Sequence, residues 1–129
     1  MTTTLREGQP AVKRLLVCGG RDYQDRARVA LELANERPDI VITGGATGAD
    51  ALAADISRKS GIPTLIMPAP WERYGRSAGS VRNNWMLKFA NPTHVLAFPG
   101  GSGTADMVKR AREAGLPVRE VSEGACDFR

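Results

Sequence analysis

The sequence predicts an α/β protein: one Rossmann-like, three-layer domain around a five-stranded parallel sheet. Short, continuously apolar runs recur along the chain, as strands covered on both faces require. The segments between them carry apolar residues at helical spacing. These crossovers are long enough to make neighbouring strands parallel, with right-handed connections, and helices on both faces of a parallel sheet are the stable solution.

RLLVC (14–18) reads as the first buried strand. The helix after it places Ala27, Ala30, Leu33 and Ala34 on one face with Val29 flanking, Asp22 as N-cap and Pro38 as terminator. DIVIT (39–43) is the second strand. ADALAADISRKSG follows as a helix with Ala49, Leu52, Ala53 and Ile56 inward, stopped by Gly61. IPTLIM (62–67) is the third strand, and PAPWERYGRSAGS reads as a long loop. A helix from about Val81 to Ala90 ends at Asn91-Pro92, with Trp85 and Met86 assigned to the core. THVLAF (93–98) is the fourth strand. TADMVKRAREAG is a helix with Met107, Val108 and Ala111 inward, and LPVREV (116–121) is the fifth strand. The domain therefore spans 14–121, with a flexible polar tail at 1–13 and a second tail at 122–129.

Composition narrows the function classes. A chain of 129 residues suits one domain and buries enough surface to fold without staples. No apolar run approaches the ~18 residues of a membrane span, and MTTTLREGQPAVKR has no apolar segment of a secretory signal. Cys18 and Cys126 do not form a CxxC pair, which argues against a metal or redox motif and fits a reducing cytoplasmic compartment. The net charge of +4 is dispersed. Its one modest cluster, Lys109, Arg110 and Arg112, reads as a solvated helix face, so nucleic-acid binding is disfavoured.

In an open parallel sheet, ligands sit beyond the carboxyl ends of the strands. Those ends read CGGRDY, TGGATGAD, PAPWERYGRSAGSVRNN and PGGSGTAD. Glycine admits close backbone approach, and a helix N-terminus offers unpaired N–H groups and positive dipole. Gly19, Gly20, Arg21, Gly44, Gly45, Pro99, Gly100, Gly101, Ser102, Gly103 and Thr104 thus read as an anion-binding edge, with Arg82 and Asn83 beside it. No GxGxxG opens the first helix and no GxxxxGK[ST] occurs, which disfavours the common dinucleotide and P-loop modes. Trp71 and Tyr74 either cover the core locally or stack on a ligand base. Asp22, Asp50 and Asp106 are the carboxylates at this edge, and each also reads as a capping or first-turn residue. His94 falls at the opposite end of the sheet, and no metal or cofactor motif is present, so none is expected.

GGRDY, TGGATGADALAA, the W…YG…AG…RN…ML segment and FPGGSGTADMVKRA resemble, in order, the motifs of the SLOG superfamily in its YspA-like branch, over about residues 15–118. That Rossmann-like group includes the LOG enzymes and the DNA-processing DprA proteins. The resemblance implies a nucleotide-derived ligand, with Gly100, Gly101, Gly103 and Thr104 at its phosphate, Gly44 and Gly45 lining the pocket, and a homodimer by analogy. LOG enzymes cleave the base from a nucleoside monophosphate with an arginine matching Arg82 and a glutamate whose position here is Met107. Asp106, one residue earlier, points about 100° away on a helix. The expectation is therefore a nucleotide-binding or sensor domain. The alternatives are a phosphoribohydrolase-like enzyme using Arg82 and Asp106 and, third, a DprA-like binder of single-stranded DNA.

Overall fold

The computed structural model describes residues 11–122; the tail at 1–10 and Cys126 lie outside the described residues. The elements are β1 (Arg14–Cys18), α1 (Arg26–Glu36), β2 (Ile40–Thr43), α2 (Ala49–Lys59), β3 (Thr64–Ile66), α3 (Trp71–Tyr74), α4 (Ala78–Phe89), β4 (His94–Ala97), α5 (Ser102–Glu113) and β5 (Val118–Glu120). A 3₁₀ turn, Gly75–Ser77, links α3 to α4. The strands form one sheet in the order β3-β2-β1-β4-β5, and every pairing is parallel. The chain winds outward from β1 through β2 to β3, then crosses to β4 on the other side of β1. The gap between the ends of β1 and β4 is therefore the switch point, where ligand crevices form.

The sheet is buried on both faces. Leu15, Val17, Val41 and Leu96 pack with Val29 and Leu33 of α1 and Ala49 and Ala53 of α2. On the opposite face Leu16, Ile42, Val95 and Ala97 pack with Met86 of α4 and Met107, Val108 and Ala111 of α5. The alternation of sides along β1 and β4 is the period-2 geometry of a strand. The edge strands β3 and β5 are shorter than their apolar runs suggested, because each pairs on one side only.

Three local readings need correction. The N-cap of α1 is Asp25, whose Oδ1 accepts from the Arg28 N–H at 3.0 Å. Asp22 instead sits in a turn closed by the Tyr23 N–H on Gly20 O at 3.2 Å. The buried face of α1 is Val29, Glu32 and Leu33, whereas Ala27 and Ala34 are exposed. The longer side chains fill the gap to the sheet, and Glu32 is matched by Arg28 and by Arg119 of β5, both at 2.7 Å. Finally, the loop after β3 is largely helical. Pro70 starts α3, Gly75 ends it at φ 54°, and α4 begins at Ala78, three residues earlier than expected. No helix among the described residues is long and apolar enough to cross a membrane.

Candidate functional site

The loops after β1 and β4 meet at the switch point and pack backbone on backbone. The Gly20 N–H donates to Pro99 O at 2.9 Å. A Cβ on Gly20 would stand 2.9 Å from that same oxygen, and one on Gly19 would come 2.5 Å from the Ala49 Cβ. A Cβ on Gly100 would collide with the Thr104 hydroxyl and lie 2.6 Å from Gly20 N. These glycines let the protein touch itself, and they raise a ridge between two clefts.

The turn after β2 is closed in the same way. A Cβ on Gly44 would overlap the Arg82 guanidinium, whose Nη1 donates to Gly44 O at 2.6 Å. Gly45, at φ 75°, faces the Ile66 Cγ2, 2.8 Å from where its Cβ would be. Gly48, also at φ 75°, lies under the backbone of Gly20 and Arg21, and the Ala49 N–H donates to Gly20 O at 3.1 Å. The glycines at the start of α5 behave differently: among the described residues, nothing beyond the local backbone lies within 4 Å of a Cβ built on Gly101 or Gly103. Both glycines line a cleft of about 640 Å³, walled also by Trp71, Arg76, Arg82 and Asp50. The size suits a small organic ligand.

Charged groups in this cleft are held by a continuous network. The Arg82 Nε donates to Asn83 Oδ1 at 3.1 Å. The buried Asn83 amide nitrogen donates to Gly103 O at 3.2 Å and to Asp106 Oδ2 at 2.9 Å. The Arg110 Nε donates to that same Asp106 oxygen at 2.8 Å. Asn83 thus fixes the first turn of α5 against α4, a positioning task. Asp50, in the first turn of α2, is 5% exposed and accepts from the Ala46 N–H at 3.2 Å. Burial pushes its carboxyl up to about 6, against the opposing pull of the Ala46 and Gly44 amides and of Arg82. Burial also lowers the Arg82 pKa, with Asp50 opposing. The Cys18 thiol, buried at the floor of the same cleft, is pushed up to about 12, chiefly by burial, which disfavours its thiolate.

The structure separates residues that the sequence grouped. Trp71 is 48% exposed in the cleft wall, with the Arg21 guanidinium 5.4 Å from its ring centre. Tyr74 leans edge-on against Trp85 at 6.0 Å and stands outside the cleft lining. Trp85 is only half-buried, while Met86 is core as expected. Met107, at the position of the LOG glutamate, is fully buried against the sheet, and Asp106 faces the cleft instead. His94 lies at the far end of β4, its Nδ1 2.8 Å from the Thr93 hydroxyl. Arg76, Gly79 and Ser80 line the cleft and were missed. With Asn83 they recur at helical spacing, a signal hidden because the stretch read as a loop.

Five parallel strands in one sheet with helices on both faces and a switch point between β1 and β4 define a Rossmann-like three-layer protein. Residues 13–74, from the start of β1 through α3, match the model of YAcAr, the YspA, cpYpsA-related SLOG family. The chain belongs to the YspA-like branch of the SLOG superfamily. No curated protein matches it. Membership suggests nucleotide-related binding or glycosidase-like chemistry.

Proposed function

We propose that the cleft between α4 and the start of α5 binds a nucleotide or nucleotide-derived ligand, and that the protein works as a binding or sensor domain. The carrying observation is the open space over Gly101 and Gly103. The first N–H groups of α5 have no intrahelical acceptor and suit a phosphate there. Arg21, Arg76 and Arg82 line the same cleft and supply countercharge, and the exposed Trp71 ring offers a stacking face for a base.

A thermal-shift panel of nucleoside monophosphates, diphosphates and cyclic nucleotides tests this. Ligand at 100 times its Kd adds about 2.7 kcal/mol, a shift of several degrees. Gly101→Val should abolish the shift in a protein that still unfolds cooperatively without ligand, since a Cβ built there has no atom from elsewhere in the described residues within 4 Å. No shift with any ligand in a folded protein sinks the proposal.

A second reading, hydrolysis of an N-glycosidic bond, draws on Asp50. A buried carboxyl near pKa 6 beside an arginine, in a cleft, is the environment of a general acid or base. Asp106, held by Asn83 and Arg110, is the second candidate. Incubation with nucleoside monophosphates should then release free base, and Asp50→Asn should stop it. Release unaffected by both Asp50→Asn and Asp106→Asn would remove these carboxylates from the chemistry.

A further inference from the structure

Helix α4 is apolar on two sides, and the sheet accounts for only one of them. Met86 and Ala90 face inward and pack on the sheet. Trp85 and Phe89 lie one turn apart on another side, where residues at i and i+4 are neighbours. Phe89 is 68% exposed. Trp85 is half-buried, with Tyr74 of α3 edge-on against it. A surface helix ordinarily turns polar residues outward. Here Tyr74, Trp85 and Phe89 form an outward strip of rings.

A cation stands at each end of the strip. The Arg73 guanidinium lies 5.7 Å from the centre of the Tyr74 ring, and the Lys88 ammonium 5.9 Å from that of Phe89. Both cations are exposed, and among the described residues neither has a carboxylate partner. The sequence from Arg73 to Ala105 contains no Asp or Glu. The face is therefore apolar and cationic together, and its occupant is anionic.

The geometry decides between occupants. A second copy on this face would bring two cationic strips together, with no carboxylate on α4 to neutralise them. Single-stranded nucleic acid stacks its bases on open, parallel ring faces. Here a cation covers one face of each outer ring, and the Tyr74 and Trp85 planes stand 78° apart. A charged bilayer surface needs no flat platform. Aromatic rings settle at its headgroup level, and the long stems of Arg and Lys lie along apolar surface while their charges reach the headgroups.

We infer that the outer side of α3 and α4 docks on an anionic lipid surface, with Tyr74 and Phe89 at the headgroup boundary and Arg73 and Lys88 on the anionic headgroups. The contact is peripheral and reversible, each cation strengthening it about fivefold. It stands apart from the proposed nucleotide cleft, which none of Arg73, Tyr74, Trp85, Lys88 and Phe89 lines.

Co-sedimentation of the full chain with phosphatidylcholine vesicles, plain or carrying about 30% phosphatidylserine, tests the inference at about 0.1 M salt, where charges are screened over ~10 Å. The chain should bind the anionic vesicles and leave the neutral ones. Phe89→Ser should weaken binding about tenfold, and the double variant Arg73→Gln, Lys88→Gln about 25-fold. The charge-matched control Arg58→Gln, Lys59→Gln lies on α2, in the layer on the other face of the sheet, and should bind within about twofold of the wild type. All the replaced side chains are exposed, so melting temperatures serve as the fold control. If Phe89→Ser unfolds, the two charge variants decide. No binding to anionic vesicles overturns the inference, as does a control weakened as much as the Arg73, Lys88 variant. It is equally overturned if Phe89→Ser abolishes binding of a single-stranded oligonucleotide, or a dimer seen by sedimentation velocity, while vesicle binding is unchanged.

Discussion

The turn from Gly44 to Gly48 and the turn from Gly101 to Gly103 are alike in composition and opposite in use. In the first, space for a side chain is taken by the protein: by the Arg82 guanidinium over Gly44, the Ile66 side chain over Gly45 and the Gly20–Arg21 backbone over Gly48. In the second, no atom from elsewhere in the described residues, beyond the local helix backbone, lies within 4 Å of the missing Cβ atoms. Glycine in a βα turn announces a close approach, but the approaching body can be the chain itself or a ligand. Mutation separates the two. A side chain added to a filled turn should cost stability, and one added to an open turn should cost binding of the proposed ligand.

The largest effect belongs to Gly48→Ala. At φ 75° a β-carbon is strained, and here it would also drive into the Gly20 carbonyl. Strain and overpacking each cost about 1–3 kcal/mol, so a loss of about 4 kcal/mol is expected by urea unfolding. That is a large share of the stability of a domain this size. A loss below about 1 kcal/mol would mean that the two loops part easily, and the filled turn would no longer contrast with the open one.

Asp50 follows, with the opposite sign. Its carboxyl titrates near 3.8 when unfolded and about 6 when folded. The folded chain therefore holds the proton more tightly, so stability falls as pH rises between those values and is flat above them. Asp50→Asn removes the buried charge and keeps an acceptor for the Ala46 N–H. It should stabilise the protein by about 2 kcal/mol at pH 7, with the gain fading below about pH 4. Chemical unfolding at both pH values checks this. A destabilised variant at pH 7 would instead make Asp50 a structural anchor of the filled turn. A stabilised variant that also loses nucleotide affinity would show a charge kept for function against stability.

Much of this was legible in the sequence, and the rest was hidden for physical reasons. Five apolar runs located the five strands, because a strand buried on both faces has no polar side to obscure it. The ridge glycines were found, but their division into filled and open was not. That division depends on what β1, α4 and β3 bring to the turns from far along the chain. The face of α1 was misjudged because its two best-buried apolar residues, Val29 and Leu33, share the inward stripe with Glu32, whose charge is matched by Arg119 from the last strand. Arg76 escaped notice because Gly75 and the prolines at 68 and 70 mark a loop, although short helical turns fit between them. Asp50 looked like a first-turn carboxylate, which it is; its burial beside Arg82 comes only from packing.

Gly44→Ala probes whether the filled turn serves the cleft at all. The methyl group would push Arg82 from the Gly44 carbonyl, and the far end of an arginine can yield. A loss of about 1–2 kcal/mol is expected, the worth of a hydrogen bond to a charged group, together with about tenfold weaker nucleotide binding. Unchanged binding would remove Arg82 from the ligand and leave it a strut between α4 and the turn.

The smallest stability change is the most telling. Gly103 is the second residue of α5, in helical conformation, and a Cβ there meets only open cleft. Alanine is the better helix former, so Gly103→Ala should raise stability by about 0.5 kcal/mol in urea unfolding. The same methyl group occupies the space over the first-turn N–H groups, where the phosphate is proposed to lie. Nucleotide affinity should therefore fall about tenfold while the fold grows firmer. A glycine whose replacement by alanine stabilises the protein has no structural reason to be glycine, and the reason that remains is the ligand. If Gly103→Ala gains stability and binds nucleotide as well as the wild type, the open space over α5 is not the phosphate seat, and the contrast between the two turns loses its functional meaning.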